Sequence, residues 1–329
     1  MLRGFADSHA QGSGNGEEEA LIFDIGRFRG EDGPGIRTAV FFKGCPLRCK
    51  WCSNPYGLRM HEQLIYVEAG CTGCGACISA CPVGCNRLEG AKASLDFGRC
   101  TACGACIPVC LPRARRMTGQ RYSTQELSQV VAREAVFFRR GGGVTLTGGE
   151  VLMQHEAASA LLDYCRNGHF LHTAVETSAF GDWIHLETIA RQCDIVLVDL
   201  KLWDEEAHRH WTGVSNRQIL ENIQRLCALS AETGQLRVVI RRPILSGIND
   251  DAATTAAIAS FVERLPGHPS MHLLPYHSLG EDKYGHVGMS YALHGLAPPT
   301  AEKLYSIMSM TKKFATHIAV SIGGSGSIG

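Results

Sequence analysis

Three cysteines near the start of the chain carry its strongest chemical signal. Cys45, Cys49 and Cys52 have the spacing Cys-x3-Cys-x2-Cys. A [4Fe-4S] cluster takes four thiolates, so a cluster bound by three keeps one iron open for another ligand. The alternatives are a zinc site or three buried free thiols, but no His, Cys, Asp or Glu follows Cys52 at the usual spacing of a fourth zinc ligand. The motif therefore predicts a reactive centre rather than a simple electron carrier.

Eight further cysteines form an internal duplication. The run Cys-x2-Cys-x2-Cys-x3-Cys occurs twice, and each cysteine of the second copy lies 29 residues after its counterpart. In bacterial ferredoxins with two clusters, the fourth cysteine of each run ligates the other cluster. The implied ligands are Cys71, Cys74, Cys77 and Cys110 for one [4Fe-4S] cluster, and Cys81, Cys100, Cys103 and Cys106 for the other. A zinc ribbon, the alternative, would use only four of the eight.

One more cysteine lies close to this duplication. Cys85 follows Cys81 by four residues and fits neither ligand set. A free cysteine behaves as a small apolar residue, so we expect Cys85 to be a partly buried thiol. Its role is not predicted by the spacing.

Composition limits the possible partners and location. The 329 residues contain 32 Lys and Arg and 32 Asp and Glu, so no excess charge indicates a nucleic acid or a membrane surface as a partner. No 18-residue apolar run occurs, and the first twenty residues lack the apolar core of a signal peptide. We therefore expect a cytoplasmic protein. Fifteen cysteines in that compartment favour metal ligation over disulfides.

The elements that must position these cysteines alternate between strands and helices. A continuous apolar run at 38–42 predicts a buried strand just before Cys45, and the capping box at 123–126 predicts the start of a helix. Alternating strands and helices indicate parallel strands with right-handed crossovers. We expect an α/β fold, a partial (β/α)6-type barrel with an inserted bacterial-ferredoxin-like domain. Further strand candidates are 144–147, 172–176, 195–200, 236–241, 271–274 and 318–321.

The same patterns predict the domain organisation. Residues 1–20 are polar and Gly-rich, which is typical of a disordered extension, and residues 323–329 are typical of a flexible tail. The barrel is expected over 21–63 and 119–322. The ferredoxin-like insertion, with its two clusters, is expected over 64–118.

Polar side chains follow several of the predicted strands. In parallel barrels the functional residues lie at the carboxyl ends of the strands. Gly148 and Gly149 would let a ligand approach the backbone closely, and the Glu150 carboxylate could receive an ammonium group. Asp199 and Lys201 end a strand that is otherwise apolar, which favours a site over the usual surface ion pair.

Together these features resemble the radical S-adenosylmethionine (SAM) enzymes. The three-cysteine motif, with Trp51 before its last cysteine, and the Gly-Gly-Glu motif are both similar to theirs. The resemblance implies that SAM binds the open iron and is cleaved by one electron to methionine and a 5'-deoxyadenosyl radical. It also implies catalytic roles for Asp199 and Lys201 and a monovalent cation near the SAM carboxylate. The implied SAM-binding residues are Trp51, Gly148, Gly149, Glu150, Glu176, Thr177, Asp199, Lys201, Arg241 and His277.

Further motifs narrow the resemblance to the glycyl radical enzyme activases. The segments 32–38, 42–49, 199–201, 249–251 and 273–280, with His208, Thr212 and Gly213 after the third of them, resemble those of enzymes related to pyruvate formate-lyase activating enzyme. This implies three [4Fe-4S] clusters, a glycyl radical enzyme whose glycine Cα loses a hydrogen atom, and flavodoxin or ferredoxin as reductant.

One residue bears on the type of activase. Val151 after the Gly-Gly-Glu motif favours the activases of choline trimethylamine-lyase or isethionate sulfite-lyase. Two other interpretations remain open at this point. One is another radical SAM protein or peptide maturase, and the other is a polyferredoxin-like electron carrier.

Overall fold

A computed structural model describes residues 18–138 and 141–323 of the chain. The predicted tail beyond residue 323 and the predicted extension up to residue 17 lie outside the described residues. The strands are β1 (Glu19–Arg29), β2 (Arg37–Phe42), β3 (Gln63–Tyr66), β4 (Asn86–Glu89), β5 (Lys92–Leu95), β6 (Arg115–Thr118), β7 (Gln120–Ser123), β8 (Gly143–Gly148), β9 (His172–Thr177), β10 (Ile195–Asp199), β11 (Arg237–Ile244), β12 (Ser270–Pro275) and β13 (Val320–Ile322). The α-helices are α1 (Ala76–Ser79), α2 (Thr124–Arg133), α3 (His155–Asp163), α4 (Trp183–Ala190), α5 (Glu205–Thr212), α6 (Arg217–Thr233), α7 (Ala252–Glu263), α8 (Glu281–Gly285) and α9 (Ala301–Phe314).

Within the described residues, nine strands form the main sheet, in the order β13-β12-β11-β10-β9-β8-β2-β1-β7. From β2 through β8 to β13 every neighbouring pair is parallel, whereas β1 is antiparallel to both β2 and β7. The order is linear, so the sheet is part of a barrel rather than a closed one. This confirms the predicted α/β class and its partial barrel, with the short β13 added to six parallel strands.

The central strands form because they are apolar along their whole length. Residues 195–198 of β10 are all buried, and only Asp199 at the end is partly exposed. Parallel strands that are buried on both faces show this continuous pattern. Helix α2 begins at the predicted capping box, in which Ser123 Oγ accepts from the Glu126 N–H at 3.1 Å and the Glu126 carboxylate accepts from the Ser123 N–H at 3.1 Å.

The first strand begins earlier than predicted. Glu19 and Ala20 belong to β1, and Ala20 is fully buried, so the disordered extension predicted for 1–20 is wrong at these two residues. Glu19 pairs with Ser123 on β7. The polar residues before Leu21 hid this edge pairing because the backbone of β7 provides the hydrogen-bond partners, whatever the side chains are.

The segment between β2 and α2 contains a small unit with internal symmetry. Strand β3 pairs antiparallel with β6, and β4 pairs antiparallel with β5. Strands β5 and β6 lie 29 residues after β3 and β4, the same interval that separates the two cysteine runs. Each half is therefore a strand, a cysteine run and a second strand. Leu64, Cys77, Ala93 and Cys106 form a core between the halves.

The helices were also compared with what a membrane span requires. Among the described residues, no helix combines the length and the apolar character that a membrane span requires.

Candidate active site

A cavity of about 260 Å³ opens at the carboxyl ends of the parallel strands. Every residue predicted for the SAM site lines it, together with the three cysteines of the first motif. The structure thus brings together residues from six separate segments of the chain. These residues are Cys45, Cys49, Trp51, Cys52, Gly148, Gly149, Glu150, Glu176, Thr177, Asp199, Lys201, Arg241 and His277.

The loop that carries the three cysteines is held firmly against the barrel. The Gly44 N–H donates to the Gly57 carbonyl at 2.8 Å, and the Arg48 N–H donates to the Thr212 carbonyl at 2.7 Å. Burial raises the pKa of the Cys49 thiol to about 12, while the Lys201 ammonium acts in the opposite direction. Metal binding at this thiol must therefore displace a firmly held proton, since a metal ligand has to be a thiolate.

The two glycines of the Gly-Gly-Glu motif let the end of β8 lie directly against this loop. Gly148 has a φ of +114°. A Cβ at Gly149 would lie 2.2 Å from the Gly44 carbonyl oxygen, far inside any allowed contact. The Gly149 N–H donates to the Phe42 carbonyl at 2.8 Å. Glycine is therefore required at both positions for steric reasons.

Glu150 is buried, and both of its carboxylate oxygens accept hydrogen bonds from the chain. Thr177 Oγ1 donates at 2.6 Å, the Ser178 N–H at 2.8 Å and the Leu152 N–H at 3.3 Å, and Ser178 Oγ also donates. Burial raises the pKa of Glu150, and these donors oppose the rise. The carboxylate ties the end of β8 to the end of β9. An ammonium group would have to share it with four donors of the protein.

Four charged side chains form one network across the ends of β9, β10 and β11. Lys201 Nζ donates to Asp199 Oδ2 at 2.7 Å, and Arg241 Nε donates to Asp199 Oδ1 at 3.1 Å. Arg241 Nη1 donates to Glu176, which also accepts from Thr147 Oγ1 at 2.6 Å. Two cations and two carboxylates balance in charge.

The pKa shifts follow from this pairing. Burial acts to raise the pKa of Asp199, but Lys201 and Arg241 outweigh burial and lower it. Burial acts to lower the pKa of Lys201, but Asp199 and Cys49 outweigh burial and raise it. Burial raises the pKa of Glu176 despite the opposing charge of Arg241. Asp199 is therefore an anion at neutral pH, and Lys201 is a cation close to the cysteine loop.

The remaining residues of the cavity lie nearer its rim. His277 is exposed, and the half-buried Trp51 ring has its centroid 6.5 Å from that of Trp211. Sequence reasoning missed Ser178 and Asn54, which also line the cavity. The hydroxyl of Ser178 directly after Thr177 was an available signal. The Asn54 N–H donates to Cys52 Sγ at 3.4 Å, and such a backbone contact leaves no trace in residue type.

Two smaller cavities in the insertion divide its cysteines into the two predicted sets. The first is lined by Cys71, Cys74, Cys77 and Cys110, and the second by Cys81, Cys85, Cys100, Cys103 and Cys106. Cys85 was expected to stand outside both sets. The structure instead places it in the second cavity, with an exposed fraction of 4%.

The surroundings of these cavities suit an iron–sulfur cluster. Four thiols around one cavity match the ligand set of a [4Fe-4S] cluster. Arg115 lines the first cavity and is buried, and its two terminal nitrogens have no hydrogen-bond partner among the described residues. An unpaired buried charge is costly, and an anionic cluster would provide the missing counter-charge. Among the described segments, no three His, Cys, Asp or Glu side chains form a site for a single metal ion, so it is the cavities that match a cluster.

The sequence matches the family described as the Radical SAM superfamily over residues 39–257, which include the cysteine loop and most of the parallel strands. The chain is 37% identical to the choline trimethylamine-lyase activating enzyme of Oleidesulfovibrio alaskensis, over 92% of this chain and 98% of that one. It is 36% identical to the trans-4-hydroxy-L-proline dehydratase activating enzyme of Clostridioides difficile, over 92% and 99%. It is 39% identical to the isethionate sulfite-lyase activating enzyme of Oleidesulfovibrio alaskensis, over 80% and 85%. The chain therefore belongs to the glycyl radical enzyme activating enzymes of the radical SAM superfamily, which confirms the family predicted from its motifs.

Proposed function

We propose that the cavity at the strand ends binds SAM beside a [4Fe-4S] cluster held by Cys45, Cys49 and Cys52. That cluster supplies one electron, which cleaves SAM to methionine and a 5'-deoxyadenosyl radical. The radical takes a hydrogen atom from a glycine Cα of the partner enzyme, giving 5'-deoxyadenosine and a glycyl radical. The observation that carries the proposal is the shared cavity, in which these cysteines face the charge-balanced pair Asp199 and Lys201.

Different residues of the cavity contact different parts of SAM. Lys201, held by Asp199 and close to Cys49, lies beside the reacting end of SAM. The backbone of Gly148 and Gly149 faces the methionine amino group. We assign the Glu150 carboxylate to fixing the strand ends, because four donors of the chain already occupy it. Trp51 and His277 lie towards the nucleoside.

The predicted monovalent cation has a competitor in this network. Arg241 donates to the carboxylates of both Glu176 and Asp199. A cation bound between them would have to replace this guanidinium. We therefore propose that Arg241, together with Lys201, neutralises the two carboxylates while SAM is bound.

Replacement of Lys201 tests these roles. Lys201→Met should lower 5'-deoxyadenosine formation with SAM and a chemical reductant by about 10- to 100-fold, since hydrogen bonds to charged groups contribute about 1.5–3 kcal/mol. The control is Glu187→Gln, which removes a carboxylate paired with Arg191 on the surface and should leave the rate unchanged. A Lys201→Met variant with the wild-type rate and SAM affinity would contradict the assignment.

The activation itself is tested with the partner present. Anaerobic incubation with SAM, reductant and a glycyl radical enzyme should produce the glycyl doublet in the EPR spectrum of the partner. The relatives named for choline trimethylamine-lyase and isethionate sulfite-lyase make these two enzymes the first candidates. The dehydratase activating enzyme is almost as similar, so trans-4-hydroxy-L-proline dehydratase belongs in the same panel. A panel without any doublet would count against the assignment of partners.

We further propose that the insertion holds two [4Fe-4S] clusters, three per chain in total, and that they pass electrons from a flavodoxin or ferredoxin towards the SAM site. The short connection between the cysteine loop and the start of the insertion supports this path. The Cys45 N–H donates to the Leu58 carbonyl at 3.3 Å, and β3 of the insertion begins at Gln63. The competing proposal is that the insertion only forms a docking surface.

We also propose a cytoplasmic location, because that compartment keeps the cysteine thiols reduced.

Replacement of Cys103 separates the relay from the docking surface. If the insertion relays electrons, Cys103→Ala should slow SAM cleavage driven by flavodoxin or ferredoxin. Cleavage driven by a small chemical reductant that reaches the SAM site directly should change less. Equal rates for the variant and the wild type with the protein reductant would rule out the relay.

A further inference from the structure

Cys85 lies against one of the cluster cysteines of the insertion. Its Sγ is 3.3 Å from Cys81 Sγ, and its backbone N–H donates to the same sulfur at 3.4 Å. Cys100, another member of the ligand set, lies in the wall of the same cavity. All of these side chains line one cavity. The second cavity thus has five cysteines where a cluster takes four.

The other half of the insertion lacks this fifth cysteine. The residue 29 positions after Cys85 is Ala114, which lines the first cavity and is buried to the same degree, with an exposed fraction of 2%. Cys110 occupies in the first cavity the position that Cys81 occupies in the second cavity. One ligand therefore has a thiol beside it, whereas its counterpart has only a methyl group. The chain contains its own matched control.

We propose that Cys85 is a reserve ligand of the second insertion cluster. While Cys81 is present, Cys85 keeps its proton and donates a hydrogen bond to the Cys81 sulfur. When Cys81 is removed, the Cys85 thiol loses its proton to solvent and its sulfur forms the Fe–S bond that Cys81 would have formed. The oxidation state of the iron does not change in this exchange. The inference rests on the proposed function, in that it requires the insertion to hold its two clusters.

Geometry makes the exchange local. The two sulfurs are already in contact, and Cys85 follows Cys81 in the same turn, so a small side-chain rotation moves the Cys85 sulfur towards the vacated position. Cys85 is also tied by its backbone to the end of β5, because the N–H of Asp96, the residue after that strand, donates to the Cys85 carbonyl at 2.9 Å. The fifth thiol is thereby kept at the cavity.

The test compares Cys81→Ala with Cys110→Ala in the full-length protein after anaerobic iron and sulfide reconstitution. Iron analysis and EPR or Mössbauer spectroscopy are the readouts, and no activity is needed. Wild type should hold about twelve irons, as three cubanes require, and Cys81→Ala should hold the same number. Cys110→Ala should lose between one and four irons, and any residual cluster should show a [3Fe-4S] signal. The double variant Cys81→Ala/Cys85→Ala should match Cys110→Ala.

A gain-of-function variant protects the test against a simple folding defect. In Cys110→Ala/Ala114→Cys, the first cavity acquires the fifth cysteine and should regain about twelve irons. The inference is overturned if Cys81→Ala loses as much iron as Cys110→Ala and the Ala114→Cys exchange restores none. A wild type with only about four irons would overturn the proposed insertion clusters as well, so the two failures are distinguishable.

Discussion

The two halves of the insertion have the same backbone plan but different side chains around their cavities. Each half consists of a strand, a cysteine run and a second strand, and the interval of 29 residues holds for both strands and ligands. Arg115 lines the first cavity, and its counterpart in the second is Asn86. A duplicated scaffold has thus kept the positions of its ligands while the charge and polarity around them diverged. Two clusters with the same ligands should therefore differ in reduction potential, which depends on hydrogen bonds and nearby charge.

The largest expected effect concerns the backbone that both halves share. Gly73 and its counterpart Ala102 both have positive φ, +72° and +54°. A Cβ at Gly73 would lie 2.1 Å from the Ala91 carbonyl oxygen, so Gly73→Ala should lower the free energy of unfolding by about 3 kcal/mol through crowding and left-handed strain. Gly84→Ala is the control, because Gly84 has φ +60° but open space around it. Denaturant titrations measure the free energy of unfolding of both variants. If Gly73→Ala and Gly84→Ala lose the same amount, crowding at Gly73 does not distinguish the two halves.

The next effect concerns the charge at the first cavity. Arg115→Leu removes a buried cation that stabilises the reduced cluster, so the potential of that cluster should fall. Hydrogen bonds to charged groups contribute about 1.5–3 kcal/mol, and about 1.4 kcal/mol corresponds to 59 mV for one electron, which gives on the order of 60–130 mV. Redox titration followed by EPR measures it. Arg87→Leu, at an exposed position of β4, should shift neither potential, and equal shifts in both variants would contradict the prediction.

A smaller shift in potential is expected at the second cavity. Cys85→Ala removes the hydrogen bond to the Cys81 sulfur, and a thiol is a weak donor, so the potential of that cluster should fall by on the order of 20 mV. Ala114→Cys should raise the potential of the first cluster by a similar amount. The same redox titration detects both. If the potentials shift in the same direction in the two variants, the thiol beside the ligand does not account for the difference between the halves.

The smallest effect is a gain in stability. Ala102 is the alanine counterpart of Gly73 and has the left-handed backbone that glycine adopts freely. Ala102→Gly should stabilise the protein by about 0.5 kcal/mol, as the relief of left-handed strain slightly exceeds the entropy that glycine loses. Ala105 does not have a positive φ, so Ala105→Gly should instead lower the stability of the protein. Thermal unfolding of the two variants, measured side by side, tests this prediction. A lower stability in both variants would contradict strain at Ala102.

The sequence predicted those features that depend on local spacing or on periodicity. Cluster ligands follow a fixed spacing along the chain, so both insertion sets could be written down before any fold was known, and the structure groups their cysteines in the same way. The apolar strands were found because burial on both faces leaves a continuous pattern. The residues at the strand ends then met in one cavity, since parallel strands end at the same edge of the sheet.

Contacts between distant segments were not predictable in this way. The donors that surround Glu150 come from Thr177 and Ser178 on a neighbouring strand, and only the register of the sheet brings them together. The pairing of Glu19 with Ser123 is a backbone contact that no side-chain pattern reports. The position of Cys85 at the second cavity was not predicted, because a spacing rule for four ligands has no place for a fifth cysteine. Arg115 was missed because burial of a charge becomes visible only once its surroundings are known.

The pairing of β3 with β6 has a consequence for how this protein could change over evolution. Gln63 and Thr118 are opposite each other in the ladder, so the chain enters and leaves the insertion at points only about 5 Å apart. A cassette with adjoining ends can be excised, replaced or enlarged while the strands that it interrupts keep their register. The insertion is therefore exchangeable, and under the proposed relay its redox properties can be selected independently of the barrel.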